Sequence, residues 1–451
     1  MVRLRQTQAW SCVFAFTVAF LFSVVDQAWA ANLVSGDNTL TRTTIVPLNR
    51  VQVAAAAASA TGPNAKKDQQ VAAKSRAKAK GTGTRKANRN SSRTNSGRSG
   101  AGPGPRSNPP GPLSLSADAA VLMDVDTGDV LFDKQAYKRR PPASTTKIMT
   151  SILGLELGRP DEIVSVSPKA AAVGESTLHL DPGEKLTLYE LITGALVKSG
   201  NDACVAIAEQ IAGSEEAFVR LMNEKALTLG AQNTHFENTN GLPNKDHYSC
   251  AYDLGLMARY GLQQIPAFAS ITRQKETEIH FLQPDVLMNV RNTNQLLWSY
   301  PFADGVKTGT TNAAGKCLVA SATKDGRRLV AVVLNAPNRF QDAQRLLDWG
   351  FAQTETVTLA QAGEVLGEYP LAGQERLRAF AAEPLRVSVS TKDKPNLKLK
   401  LVWDRPPVLP VEAGEVLGRC ELWLGEKKLK SVPLLSERAL RKQGFLNRWT
   451  S

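Results

Sequence analysis

Residues 64–106 cannot join a hydrophobic core, and that limits where folding of this chain can begin. The segment carries twelve Lys or Arg against one acid, Asp68, and so holds +11 of the chain's formal +13. The rest of it is mostly Ala, Gly, Ser, Asn and Pro, which bury too little apolar surface to offset the entropy of ordering. Outside this stretch the chain is close to neutral, so the net charge does not describe a folded, nucleic-acid-binding surface. We expect a disordered basic tether over residues 31–113. It serves either as a solvated spacer or as a region attracted to an anionic membrane or wall polymer. Pro109, Pro110 and Pro112 close it, and patterned sequence starts near Leu115.

Ahead of the tether, Arg3 and Arg5 precede an apolar run from Val13 to Val25 and then Ala28-Trp29-Ala30. Charge, a short apolar stretch and a small-x-small site read as a signal peptide over 1–30, because such a run is too short to span a bilayer comfortably. The protein is therefore expected to be exported to an extracytoplasmic compartment such as the periplasm. An uncut anchor is the alternative. Cys204, Cys250, Cys317 and Cys420 would then meet an oxidising environment, but their scattered spacing outlines neither a disulfide framework nor a metal site. No cofactor and no metal are expected.

Beyond Leu115, apolar runs flank Asp126-Thr127-Gly128-Asp129, which reads as a β-hairpin. Residues 148–157 are apolar on nearly every side, as in a buried helix that Gly158 and Pro160 stop. Thr187 and Glu190 open a second helix as a capping box, and a third follows "SGND" at about Ala203–Ala212. "DGVKTGTT" and "GKCLVASATKDGRRLVAVVL" read as neighbouring antiparallel strands. These elements predict one α/β domain, over 114–355, with a mostly antiparallel sheet and a helical cluster. After it "AGEVLG" occurs twice, at 362 and 413, and "LRVSVS" and "LKLKLVW" alternate with period two. A small all-β sandwich over 356–435 is expected, with a short tail over 436–451.

The chemistry is carried by "PPASTTKIMT" at 141–150. Ser144 and Lys147 lie three apart where the buried helix starts, and so share one face. A serine hydroxyl attacks an acyl carbon only when a base takes its proton, and an amine is a base only when neutral. Burial and a second cation would lower the lysine from about 10.4 toward 7. The pair points to acyl transfer without histidine. His179, His235, His247 and His280 sit in surface or packing contexts, with Ser249 as a helix cap beside His247, and no GxSxG elbow exists. Ser-x-x-Lys alone is a weak signal, since it recurs at Ser75 and Ser321 outside any helix start. Ser199-Gly200-Asn201 between the second and third helices, and Lys307-Thr308-Gly309 on a strand, supply the two other parts that such a site needs.

Those three motifs, with "NGLP" and "LLDWGF" in the same order, make the chain from about Leu115 to Phe351 resemble the low-molecular-mass penicillin-binding proteins that act as D-alanyl-D-alanine carboxypeptidases. The tail to about Leu435 resembles that family's C-terminal β domain more loosely. The resemblance implies a serine β-lactamase and transpeptidase fold, peptidoglycan stem pentapeptides as substrate and β-lactams as covalent inhibitors. It implies Ser144 as nucleophile, Lys147 as base and Ser199, with Lys307, in proton transfer to the leaving amine. Asn201 would bind the peptide backbone, Lys307 and Thr308 the terminal carboxylate, and Gly309 would complete the third motif. The oxyanion would lie on the backbone N–H groups of Ser144 and Thr310. Many relatives carry His or Tyr where this chain has Thr310. A transpeptidase, endopeptidase or β-lactamase of the same fold, and a non-catalytic wall-binding protein, are the alternatives. The absence of an obvious Glu-x-x-x-Asn segment between the second and third motifs argues against rapid β-lactam hydrolysis.

Overall fold

The computed structural model describes residues 42–46, 113–371, 376–404 and 407–441. The expected signal peptide, the basic stretch 64–106 and residues 442–451 lie outside the described residues. The tether expected over 31–113 needs one correction. Arg42–Val46, "RTTIV", forms strand β1, and its β-branched run favours extended backbone in a way that the Ala- and Gly-rich basic stretch does not.

The hairpin is present as β2 (Ala119–Asp124) and β3 (Val130–Lys134). A 3-10 turn, Ala143–Thr146, then leads into helix α1 (Lys147–Leu157). Short strands β4 (Ile163–Ser165) and β5 (Lys185–Thr187) precede α2 (Leu188–Val197), whose cap Thr187 accepts from the Glu190 N–H as its sequence predicts. Helices α3 (Asn201–Ala212), α4 (Glu215–Thr228) and α5 (Ala251–Gln264), with the short helix Pro266–Thr272, make up the rest of the helical cluster. The cap of α5 is Cys250 and not Ser249. The Ser249 backbone is engaged with Arg140 and its hydroxyl with Thr234, so the helix starts one residue later.

Strands β6 (Glu276–Gln283) and β7 (Asp285–Arg291) join β4 and β5 in a small sheet. The main sheet has the order β3-β2-β10-β9-β8, with β8 (Ala303–Thr311), β9 (Gly315–Lys324) and β10 (Arg327–Leu334), and every pair in it is antiparallel. Its inner strands read as unbroken apolar runs because both faces are covered. Val121, Val319, Val330 and Val332 pack with Ile148, Met149 and Ile152 of α1 on one face. Their neighbours Leu122, Leu318, Leu329 and Val333 pack with Leu346 and Leu347 of helix α6 (Arg339–Gln353) on the other.

From Thr354 the described residues are mainly strands, interrupted by one 3-10 turn at Lys394–Asn396: β11 (Thr354–Ala360), β12 (Val365–Pro370), β13 (Arg376–Ala381), β14 (Leu385–Ser390), β15 (Leu397–Trp403), β16 (Val416–Leu424) and β17 (Lys427–Ser436). The sheet β1-β15-β16-β17-β13-β12 and the pair β11-β14 enclose a core that includes Leu399, Leu401, Trp403 and Leu422. Each "AGEVLG" copy turns into its strand at a glycine with positive φ, Gly363 at +76 and Gly414 at +79. Alternation fails in β14, where Val387, Ser388 and Val389 are all buried. Ser388 meets the first domain, since its N–H donates to Asp129 at 2.7 Å. Lys430 pairs with the same carboxylate at 3.1 Å, and Arg327 bridges Asp124 to the Thr354 carbonyl.

Candidate active site

The reactive turn is built by close backbone packing. Pro142 leads into Ala143, and the 3-10 turn that follows stacks residues three apart more directly than an α-helix does. Lys147 Nζ therefore lies 2.9 Å from Ser144 Oγ. Gly241 presses on this turn: a Cβ there would stand 1.9 Å from the Ala143 carbonyl oxygen, and its φ of +91 suits glycine. Gly309 does the same from β8, where a Cβ would come within 3.0 Å of Pro142 O and Ser144 N.

Lys147 is fully buried and has three polar partners: Ser144 Oγ, Asn201 Oδ1 at 2.7 Å and Asn240 O at 2.8 Å. The Asn201 amide is oriented by its Nδ2, which donates to Gly174 O, so Oδ1 faces the lysine. Two of the three partners can only accept. A neutral amine has two N–H bonds and one lone pair, so the lone pair is left for the Ser144 hydroxyl. Burial lowers the pKa of Lys147 to about 8, which makes the neutral form accessible for roughly 3 kcal/mol less than in water. The rate of Ser144 acylation should accordingly rise with pH through about 8 and then level off. A profile flat from pH 6 to 10 would contradict a titrating base at Lys147.

Lys307 is also buried, and its pKa is lowered well below the usual value by burial first and by the Lys147 charge second. The second cation invoked from sequence is thus in place, though its repulsion falls on Lys307. Lys307 Nζ donates to Thr308 O at 3.2 Å, and Thr308 Oγ1 shares a 2.7 Å hydrogen bond with Thr293 Oγ1. Ser199 lies between α2 and α3 with φ +73, and among the described residues no hydrogen bond joins its hydroxyl to either lysine. Cys204 lies behind both lysines, and burial pushes its thiol up to about 12, so it stays neutral. All four cysteines among the described residues are free and buried.

Three contributors had no sequence signal. Arg339, the first residue of α6, donates to Gly309 O at 2.9 Å and Thr310 Oγ1 at 2.8 Å, and so puts a further cation at the end of the Lys-Thr-Gly strand. The Asn240 carbonyl holds Lys147. Asp202, fully buried, accepts from Leu178 N at 2.8 Å and Leu180 N at 3.2 Å and so fastens residues 178–180 to the start of α3, beside the second motif. His247 acts as a bolt: Nδ1 accepts from Glu237 N, so Nε2–H faces Thr146 Oγ1 at 2.9 Å. Burial first, and then His235, lower its pKa to about 4. The second Ser-x-x-Lys copy within the described residues is not a site, because Ser321 is tied to Asp304 at 2.6 Å and period two sends Lys324 to the opposite face. No group of three or more His, Cys, Asp or Glu among the described residues is placed to hold a metal.

Strand β8 is an edge of the main sheet, with β9 on one side only. Its outer edge can take an extended peptide as an added strand, with the serine, two lysines and an arginine around it.

Comparison with known proteins matches the family model described as D-alanyl-D-alanine carboxypeptidase over residues 106–338. A second model, the C-terminal domain of penicillin-binding protein 5, matches residues 355–442. The D-alanyl-D-alanine carboxypeptidase DacF of Bacillus subtilis is 37% identical over 74% of this chain and 88% of its own length. DacC of Escherichia coli is 35% identical, covering 74% and 87%. Among solved structures, penicillin-binding protein 5 from Haemophilus influenzae superposes with a TM-score of 0.66 at 29% identity, covering 74% of this chain and all of that one.

Proposed function

This chain belongs to the D-alanyl-D-alanine carboxypeptidase family of low-molecular-mass penicillin-binding proteins, and on that premise we propose that Ser144 and Lys147 are the nucleophile and base of a serine carboxypeptidase that trims peptidoglycan stem pentapeptides. The observation that carries the assignment is the lone-pair geometry at Lys147, two of whose three partners are obligate acceptors. Ser144 Oγ attacks the carbonyl of the penultimate D-alanine and its proton moves to Lys147 Nζ. The developing oxyanion is held by the backbone N–H groups of Ser144 and Thr310. Collapse breaks the peptide C–N bond, and the leaving D-alanine amine takes a proton from Lys147 by way of Ser199 and Lys307. Water then hydrolyses the ester. Asn201, engaged by Lys147 and Gly174, keeps the base in line. Lys307, Thr308 and Arg339 offer the substrate's terminal carboxylate charge-assisted bonds.

The same attack on a β-lactam ring gives a covalent adduct. Incubation with a pentapeptide and with labelled penicillin tests the reading. D-Alanine release with a long-lived adduct supports it, fast adduct turnover indicates a β-lactamase, and transfer of the acyl group to an added amine indicates a transpeptidase. No helix among the described residues is long and apolar enough to cross a membrane.

The basic stretch 64–106 fits contact with an anionic membrane or wall polymer from an exported, extracytoplasmic protein. Its deletion should leave activity on a soluble peptide unchanged, because every site residue lies beyond Leu115. Binding to anionic vesicles or wall fragments should weaken, and the salt dependence of what remains should flatten, since exposed charges are screened over about 8 Å at physiological ionic strength. Equal binding by both forms at every salt concentration would reduce the stretch to a spacer.

A further inference from the structure

A cleft of about 520 Å³ opens beside the catalytic centre, with Arg139, Pro141, Pro243, Lys245, Tyr248 and Ala313 among its walls. Three of these walls continue elements of the active site. Pro141 runs into the reactive turn, Pro243 follows the Asn240-Gly241 segment that holds Lys147 and packs on Ala143, and Ala313 lies just beyond the end of β8.

The direction of the substrate follows from β8. Its carboxylate end is at Lys307 and Thr308 and its reacting carbonyl is at the Thr310 N–H, two residues further along the strand. The peptide therefore lies antiparallel to β8, and the residues ahead of the scissile bond pass Thr311 toward Ala313. At about 3.3 Å per residue, the second residue ahead of the penultimate D-alanine reaches the cleft.

No carboxylate lines this cleft, while three cationic side chains do. Arg140 is already paired with Asp118. Arg139 stacks over the Tyr248 ring at 4.7 Å and has no carboxylate partner among the described residues. The Lys245 side chain is 90% exposed and pairs only with Asp246, at 3.8 Å. Pro141, Pro243, Ala313 and the Tyr248 ring supply apolar walls for an aliphatic stem.

We propose that this cleft is a subsite for a carboxylate-bearing residue two positions ahead of the penultimate D-alanine, read by Arg139 and Lys245. The subsite rests on the carboxypeptidase reading above. Its test compares kcat/KM for acetyl-Glu-Ala-D-Ala-D-Ala and acetyl-Gln-Ala-D-Ala-D-Ala, in full-length protein and in the double variant Arg139→Gln, Lys245→Gln. The glutamate peptide should be preferred about tenfold by the unaltered protein, less so at high salt. The ratio should fall near one in the double variant and stay high in Arg139→Lys, Lys245→Arg, which keeps both charges. Penicillin labelling of each variant reports an intact catalytic centre. No preference in the unaltered protein, or a preference that survives in the glutamine variant, overturns the subsite. Failure to release D-alanine from either peptide instead overturns the carboxypeptidase reading on which it rests.

Discussion

Ser144→Ala should abolish both D-alanine release and covalent labelling by penicillin, a loss of a thousandfold or more, because the atom that forms the ester is gone. The variant should still fold. Ser144 is only half-buried, Lys147 keeps its carbonyl partners at Asn201 and Asn240, and losing one neutral hydrogen bond costs about 1 kcal/mol. Melting temperature and labelling measured on the same preparation separate the two effects. Ser321 is the other described serine with a Ser-x-x-Lys spacing, and its bond to Asp304 and position within β9 leave it no access to the cleft. Labelling that persisted in the alanine variant would show the nucleophile to be elsewhere.

Lys147→Arg should be as damaging as Lys147→Ala, each lowering acylation about a thousandfold. Arginine keeps a positive charge, but its guanidinium offers donors only and does not deprotonate at accessible pH. It would satisfy Asn201 Oδ1 and Asn240 O and still leave the Ser144 proton with nowhere to go. An electrostatic role for Lys147 predicts the opposite order, with arginine retaining much of the rate that alanine loses. Arginine is also larger than the buried site it would enter, so thermal melting of both variants belongs in the experiment. Near-normal acylation by the arginine variant would end the general-base assignment.

What could be read before the fold was known is what local chemistry encodes. Hairpin β2–β3 and the start of α1 follow from apolar periodicity and turn residues within a few positions of each other. The three motifs were legible because each pairs a functional group with the backbone element that aims it. Asn240, Asp202 and Arg339 were not legible, since each acts through a contact that only the folded chain creates. Arg339 meets Thr310 across 29 positions, and the Asn240 contribution is a backbone carbonyl, which every residue has. The cap of α5 was misplaced by one because a thiol is a weak acceptor and a neighbouring serine a strong one, until the bridge to Arg140 engages that serine. Strand β1 is the opposite case, a local signal hidden by its surroundings. The charge and composition of residues 64–106 do not reach Arg42–Val46, whose β-branched run is of different chemistry.

That strand changes what cleavage of the chain would do. β1 pairs with β15 along five residues, Arg42 opposite Trp403 through Val46 opposite Leu399, while its covalent connection to the folded body runs through residue 113. As long as residues 47–112 are intact, pairing is intramolecular, and the β15 edge faces its partner at an effective concentration set by the linking chain rather than by the solution. A single cut anywhere between Val46 and Leu113 turns the same contact into a bimolecular one. Five residues of ladder are too few to hold at ordinary protein concentrations, so the strand would dissociate and leave β15 as an open edge. Occupancy of that edge thus records whether the basic segment is whole.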